Sequence, residues 1–494
     1  MKISESTIIS LTKRLDFIGE SLRIMEPTNR PVEKDLRYAE SIENFEKLLQ
    51  KHAMRVEAVS WLNPLENVWS VHIHDRDCPR LYTNGKGVSR EGALASAYGE
   101  FFERLTTGYF FADYSFQGID STSSWEFSPR ERWFPTPSDT VPEEVLTPSL
   151  RAFYGAGGIL ESWSLLDSNV LPTGRGICAL PFTSSRDQTR VWFPVNILYN
   201  LYVSNGMAAG NSMAEARVQA LSEILERHVK NKVIGDCLTL PDIPRAHLTP
   251  LTTVTRGIAE LEAQGFTVLV KDASLGGRFP VVNITLINQT TAGVFAAFGA
   301  HPRFAVAMKR TLTELMQGRS LDTLGDFRLP IFDEHLVRDR GNLEEHFIDS
   351  AGLLHWNFFL SESDFPFTAW DFTGDRAGEV ASLEGLIGKL GFEIFSAEYT
   401  WAGVDVCRLI IPGMSEIYPV EDLADTNKNS TARIREALFD LPSSDMEQKQ
   451  WLYEELCDMG YAQGAGVGEI LGIPADDSLL VAELLFFLAG ALGV

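Results

Sequence analysis

The chain has 494 residues, 45% of them hydrophobic and 22% charged, a make-up that excludes disordered and low-complexity classes and leaves room for about three globular units. Against 43 Lys and Arg stand 67 Asp and Glu, a formal net charge of −24; a field of that sign repels bare phosphate backbones and anionic lipid, so nucleic acid and membrane surfaces are excluded as direct partners. The five cysteines (Cys78, Cys178, Cys237, Cys407, Cys457) form no C-x-x-C pair, which argues against a disulfide framework, a zinc ribbon or a thiolate-held iron–sulfur cluster and points to the cytoplasm.

In chain order, residues 1–58 read as a charged, helical N-terminal arm broken at Pro27 and Pro31. Charges interrupt any apolar run at its start, so it lacks the form of a signal peptide. From Trp61 the pattern changes, and residues 68–75 (VWSVHIHD) alternate like a strand. A helix follows, then a loop-rich stretch at 117–150 dense in Ser, Pro and Asp. Strand-like runs recur at 191–203, 266–274, 279–288 and 293–299, between helix-like segments. From Ala369 to Pro412 the order is strand, helix (380–390), strand (392–399), strand (406–413). Residues 431–494 read as helical. Their apolar end, Leu479–Val494, has 16 residues and contains Glu483, too short to span a bilayer and better suited to a docked helix. The expected fold is α/β with mixed sheets: a main domain at 59–430 between the arm and a helical C-terminal segment.

An internal repeat carries more information. Three segments beginning at Asn84, Asn205 and Phe298 share a plan, a glycine-containing turn followed by a helix with acids at fixed spacing. Aligned on Glu100, Glu223 and Glu314, the position three residues on holds Glu103, Glu226 and Gln317. The position four back holds Ser96, Gln219 and Arg310, and Ala93, Ala216 and Ala307 also coincide. The copies are duplicated β-α units that can converge on one site, and their spacing is too uneven for a solenoid.

At about 100° per residue, positions i, i+4 and i+7 share one helix face. Ser96, Glu100 and Glu103 therefore form one stripe, Gln219, Glu223 and Glu226 a second, and Arg310, Glu314 and Gln317 a third. A single such stripe is ordinarily a solvated face. Three repeated ones, in helices short of Lys partners, gather carboxylates whose repulsion hard cations relieve, and Mg²⁺ with a nucleotide phosphate fits that demand. Glu215, one turn before Gln219, has a competing role in an S-x-x-E capping box with Ser212. Arg104 and Arg227 follow the last Glu of their stripes and suit either phosphate or the helix C-terminus. Lys86, in a glycine turn, suits phosphate or plain surface. The His72–His74 pair reads as strand surface and Cys178 as a buried residue. No P-loop, nucleophile elbow or H-E-x-x-H motif occurs, and Gly464–Gly468 lacks the spacing of a dinucleotide loop.

At these residues the sequence resembles the YcaO family, of the enterobacterial type. The resemblance runs over most of residues 30–430 and rests on segments such as SWLNPLENVWSVHI, GEFFERL, LYVSNGMAAGN, EARVQALSEILERH, FGAHP, RTLTELMQGR and PGMSEIYP. It implies a YcaO-like ATP-binding fold in which ATP and Mg²⁺ lie between acidic helices. By that resemblance the nucleotide and metal contacts are Lys34, Ser41, Ser96, Glu100, Glu103, Asn211, Glu215, Gln219, Glu223, Glu226, Arg227 and Arg310. The metal is assigned to Glu100, Glu103, Glu223, Glu226 and Glu314, and catalysis to Arg227, Arg310 and Glu314. The family activates peptide backbone amides with ATP, as cyclodehydratases or thioamide-forming enzymes. Its enterobacterial members are associated instead with β-methylthiolation of an aspartate in a small-subunit ribosomal protein, assisting the radical enzyme RimO. The resemblance thus implies an ATP-hydrolysing accessory factor, with RimO, the ribosomal protein and a second copy of the chain as expected partners.

Overall fold

The computed structural model describes residues 30–111, 128, 130–156, 158–166, 176–321, 324, 327–401, 403–421, 423, 434, 437–438, 440–458, 466–467 and 479–493. The first part of the expected helical arm, with Pro27, lies outside the described residues, as do most of the 117–150 loop stretch before residue 130 and most of Gly464–Gly468.

The described residues build a mixed α/β protein of three sheets. Helix α1 (Tyr38–Lys51) leads into β1 (Val56–Leu65), β2 (Val68–Asp75) and β3 (Tyr82–Gly87), an antiparallel sheet in sequence order, followed by α2 (Arg90–Thr106). After β4 (Arg132–Phe134) and α3 (Pro148–Tyr154) come β5 (Ile177–Ser184), β6 (Arg190–Pro194), β7 (Met207–Gly210) and the long α4 (Met213–Gly235). Then follow α5 (Thr252–Ala263), β8 (Phe266–Asp272), β9 (Val281–Asn288), β10 (Val294–Ala300) and α6 (Phe304–Leu315). Later elements are α7 (Arg340–Ile348), α8 (Arg376–Lys389), β11 (Phe395–Trp401), β12 (Val404–Ile410), α9 (Met446–Asp458) and α10 (Val481–Leu492). The second sheet runs β10-β9-β8. The third runs β4-β5-β11-β12-β7, with β6 paired to β5.

The repeat is a β-α unit in each copy: β3 with α2, β7 with α4, β10 with α6. The turn expected from the sequence is present in the second copy, where Gly206 sits in a turn at φ 78° just before β7; Gly85, Gly87, Gly210 and Gly299 lie instead in or at the ends of strands pressed under the next helix. A Cβ on Gly85 would lie 2.0 Å from the Ala93 carbonyl oxygen, and one on Gly87 2.6 Å from the Ala93 nitrogen. In the second unit a Cβ on Gly210 would stand 2.6 Å from the Ala216 nitrogen. The coincident alanines, Ala93, Ala216 and Ala307, are all fully buried at these crossings. Strand glycine and helix alanine are thus two halves of one close approach, which lets each helix lie flat against its strand. Helix starts repeat too: the Ser89 hydroxyl accepts from the Gly92 N–H, and the Ser212 hydroxyl, at the equivalent place, accepts from the Glu215 N–H.

Helix α4 lies at the centre. Its face of Ala216, Leu221, Ile224, Leu225, Val229 and Val233 joins a core built with β10, α8 and β12. That face excludes water while the polar stripe on the same helix is left for the cavity described below.

Three local expectations are corrected. Residues 191–203 were expected to continue as strand, but β6 stops at Pro194; residues 195–197 turn helical and 198–202 form a π-helical turn. No strand starts near Ala369, where the chain is irregular and Phe367 and Trp370 pack on the β8–β10 core. The arm's helix ends at Lys51, and residues 56–58 belong to β1. The C-terminal helices pack on each other through Leu452, Leu456, Val481, Leu484 and Leu488. No described helix is long and apolar enough to cross a membrane.

Candidate functional site

Helices α2, α4 and α6 turn their polar stripes toward one cavity of about 940 Å³. Every residue assigned from the sequence lines it: Lys34, Ser41, Ser96, Glu100, Glu103, Asn211, Glu215, Gln219, Glu223, Glu226, Arg227, Arg310 and Glu314. The stripes are therefore not solvated faces. Lys86 lines the same cavity, which removes the plain-surface alternative.

One end is built by the arm. The Lys34 ammonium lies 3.1 Å from Glu215, whose second oxygen accepts from the Asp35 N–H at 2.8 Å. Asn211 donates to both Glu215 oxygens, and the Ser41 hydroxyl donates to Asn211 at 2.9 Å. Burial would raise the Glu215 carboxyl, but Lys34, the Asp35 N–H and Asn211 outweigh it and hold the group below its ordinary value. Half of the expected capping box is present: Ser212 caps the helix, while the Glu215 side chain reaches back to the arm. Glu33 pairs with Lys309 of α6 at 3.1 Å, and that attraction overcomes burial to lower its pKa. Asp35 also accepts from Ser212 and lies 3.4 Å from Arg376 of α8. The arm is thus strapped to α4, α6 and α8 at once. Glu33, Asp35 and Lys309 were missed from the sequence because long-range pairing leaves no local spacing.

The middle holds the carboxylates. Glu100 and Arg104 pair at 2.5 Å and Glu223 and Arg227 at 2.9 Å, the same i,i+4 pair in two repeats. Lys86 contacts Glu314 across from α2. Burial, then the charges of Glu223 and Glu100, push the Glu103 carboxyl well above its ordinary value. Burial also raises Glu223, against the pull of Arg227, and lowers the Lys86 ammonium despite Glu226, Glu100 and Glu223 nearby. Arg310 donates to Gln219 at 2.5 Å and to the Ala300 carbonyl at 3.3 Å, and burial lowers its pKa. Glu226 accepts from the Ala300 N–H at 3.2 Å.

These residues suit a divalent cation with a polyphosphate. The donors are hard carboxylate oxygens on facing helices, and Glu103 and Glu223 are raised by burial first and by neighbouring glutamates after it, both of which a bound cation would offset. Among the described residues no three acidic, His or Cys side chains gather closely enough to hold an ion alone. Donors wait as well: Arg104 Nε and Arg227 Nη1 are buried and without hydrogen-bond partners, the latter close to Glu223 but misaligned. Of the His72–His74 pair, His72 lines the cavity as well, beside Asn84. His72 meets Asn84 at 2.8 Å and His74 lies 3.5 Å from Glu57. Cys178 is buried in the core, as expected.

Comparison with known proteins agrees with this geometry. Residues 84–415 match the family model described as YcaO cyclodehydratase, ATP- and Mg²⁺-binding. The ribosomal protein S12 methylthiotransferase accessory factor YcaO of Escherichia coli (strain K12) is 45% identical over 443 residues, covering 89% of this chain and 76% of that protein. An uncharacterized protein of Haemophilus influenzae is 42% identical over 468 residues, 93% of this chain and 80% of its own. Among solved structures, a heterocyclase described in complex with substrate and cofactor superposes with a TM-score of 0.52 at 18% identity. That match covers 81% of this chain and 57% of the heterocyclase, and it bears on the fold alone. Three β-α repeats, their shared cavity and a match across more than half of its length agree: the chain belongs to the YcaO family.

Proposed function

We propose that this chain is an ATP- and Mg²⁺-dependent accessory factor for β-methylthiolation of an aspartate in ribosomal protein S12, working beside RimO. The observation that supports it most is the convergence of six glutamates from three repeated helices on one cavity, together with the name of the 45%-identical relative. Bound MgATP would supply a phosphoryl group whose charge the metal offsets. In this reading Glu100, Glu103, Glu223, Glu226 and Glu314 hold the metal. Lys34, Ser41, Ser96, Asn211, Glu215 and Gln219 hold or frame the nucleotide. Arg227 and Arg310 stabilise negative charge at the phosphate; among the described residues the Arg310 hydrogen bonds go to neutral acceptors, with Glu33, Glu226 and Glu223 as the carboxylates around it. The nucleotide domain is taken as 59–430, with the arm before it and a helical segment after it, in a cytoplasmic homodimer.

With five scattered cysteines the chain lacks the thiolate set that radical sulfur insertion needs, so an accessory part fits it. The experiment is intact-protein mass spectrometry of S12 from a deletion strain complemented with wild type or with a Glu223→Ala, Glu314→Ala double variant. Loss of the methylthio group in the deletion and the double variant, and its return with wild type, is the expected result. Full modification in the deletion strain contradicts the reading.

A second reading is ATP-dependent activation of a backbone amide, in which a nucleophile adds to the carbonyl, the oxyanion takes the terminal phosphoryl group of ATP and phosphate then leaves. The cyclodehydratase description of the family favours it, and changed products on a peptide rather than on S12 would select it.

A further inference from the structure

The cavity does not end at the carboxylates. Along α4 the lining runs from Glu215 through Gln219, Glu223 and Glu226 to Lys230 and Asn231, about 24 Å at the helical rise per residue. Beyond Arg227 the character of the wall changes. Lys230 is only 8% exposed; its ammonium donates to the His346 carbonyl and, at 2.7 Å, to the Ser350 hydroxyl. Arg319 lines the same end. It lies over the Phe295 ring at 4.2 Å and donates to the Asp349 carbonyl at 2.6 Å and weakly to the Gln317 carbonyl. Both cations thus meet neutral oxygens, and among the described residues neither forms an ion pair, in a chain whose net charge is −24. The exposed Asp349 carboxylate instead accepts from the Ala351 N–H at 2.9 Å.

We propose that this end of the cavity is a second subsite, in which Lys230 and Arg319 take a carboxylate side chain of a polypeptide substrate. An ammonium has three donors; two are used, and the third has no protein acceptor among the described residues. Together with the remaining N–H groups of Arg319 it matches the two oxygens of a monoanion. Burial pulls Lys230 down to about 8 in spite of the charges of Glu226 and the exposed Asp349, neither of which pairs with it directly, the direction expected of a buried cation without an ion pair. The C-terminal end of α7 and the turn after it, residues 347–350, form the rim, with half-buried Phe347 and with Ile348 68% exposed, an apolar edge against which an extended chain can lie.

The subsite rests on the reading of the chain as acting on a protein, so its test begins with a probe free of that assumption. N-acetyl-aspartyl methylamide, N-acetyl-asparaginyl methylamide and inorganic phosphate are titrated by ligand-observed NMR against the full chain with Mg²⁺ and a non-hydrolysable ATP analogue. The aspartyl probe is expected to bind at least about tenfold tighter than the asparaginyl probe, and Lys230→Gln and Arg319→Gln are each expected to remove that preference while nucleotide binding persists. Equal binding of both amides to wild type, or an unchanged preference in both folded variants, overturns the proposal. So does Lys230-dependent binding of phosphate alone, which makes the end a product-phosphate site. A parallel arm with S12 and its Asp→Asn variant separates the two claims: aspartyl binding without S12 binding keeps the subsite and rejects S12 as the substrate.

Discussion

Glu103 and Glu223 carry a cost that the apoprotein bears for its ligand. Their carboxyls lie above the ordinary value of 4.5 because burial and neighbouring glutamates disfavour the charged form. The sign follows from linkage: the folded state binds more protons than the unfolded one over this window, so stability without Mg²⁺ falls as pH rises from about 4.5 through the raised values. Metal binding needs the carboxylates, so MgATP is expected to release protons and to bind more weakly as pH drops through the same window. Calorimetric titrations in two buffers of different ionisation enthalpy measure that release directly. Glu103→Gln removes one repelling charge and is expected to stabilise the apoprotein by about 1 kcal/mol while weakening MgATP binding. A thermal melt with and without ligand checks both signs. The stripes behind this prediction were legible from the sequence, because helical spacing alone puts Glu100 and Glu103, or Glu223 and Glu226, on one face. Lys230 could have been found the same way, as it lies four residues beyond Glu226. Glu33, Asp35, Lys309 and Arg376 could not, since each finds its partner only when the arm crosses α4, α6 and α8.

At the scale of elements, the repeat depends on strand glycines that admit the following helix. Gly85→Ala would drive a Cβ into the Ala93 carbonyl oxygen and the Ala97 nitrogen, and backbone on both sides leaves little room to yield. A loss of about 3 kcal/mol is expected in denaturant unfolding. Gly385→Ala, on α8 with nothing near its Cβ, is the control and is expected to gain up to about 1 kcal/mol. If both changes are neutral, the close-approach account of the repeat is wrong. The strand-helix order of each unit was legible because glycine, alanine and acid recur in register. Residues 195–202 were misread for a physical reason: Val195, Ile197, Leu198, Leu201 and Tyr202 are buried, and an apolar run buried on several sides has no periodicity to separate helix from strand. The stretch near Ala369 misled differently, with aromatic side chains that pack on a core without any ladder.

For the whole molecule, the excess of acids is partly a property of the cavity. Six glutamates of α2, α4 and α6 and the arm's Glu33 line it, so the charge that excludes bare polyanions selects a metal-clad one. Ligand should then tie the arm, α2, α4 and α6 together, and at a free concentration of about 100 times its dissociation constant MgATP is expected to stabilise the fold by about 2.7 kcal/mol. The central claim is a Mg²⁺-dependent nucleotide site between the three repeated helices. Isothermal titration of ATP tests it most directly, with Mg²⁺ or with EDTA, against wild type and a Glu223→Gln, Glu314→Gln double variant that keeps the folded melt. The account predicts saturable binding to wild type only with Mg²⁺, weakened at least about a hundredfold in the double variant. Equal affinity in EDTA, or an undiminished affinity in the double variant, would contradict it.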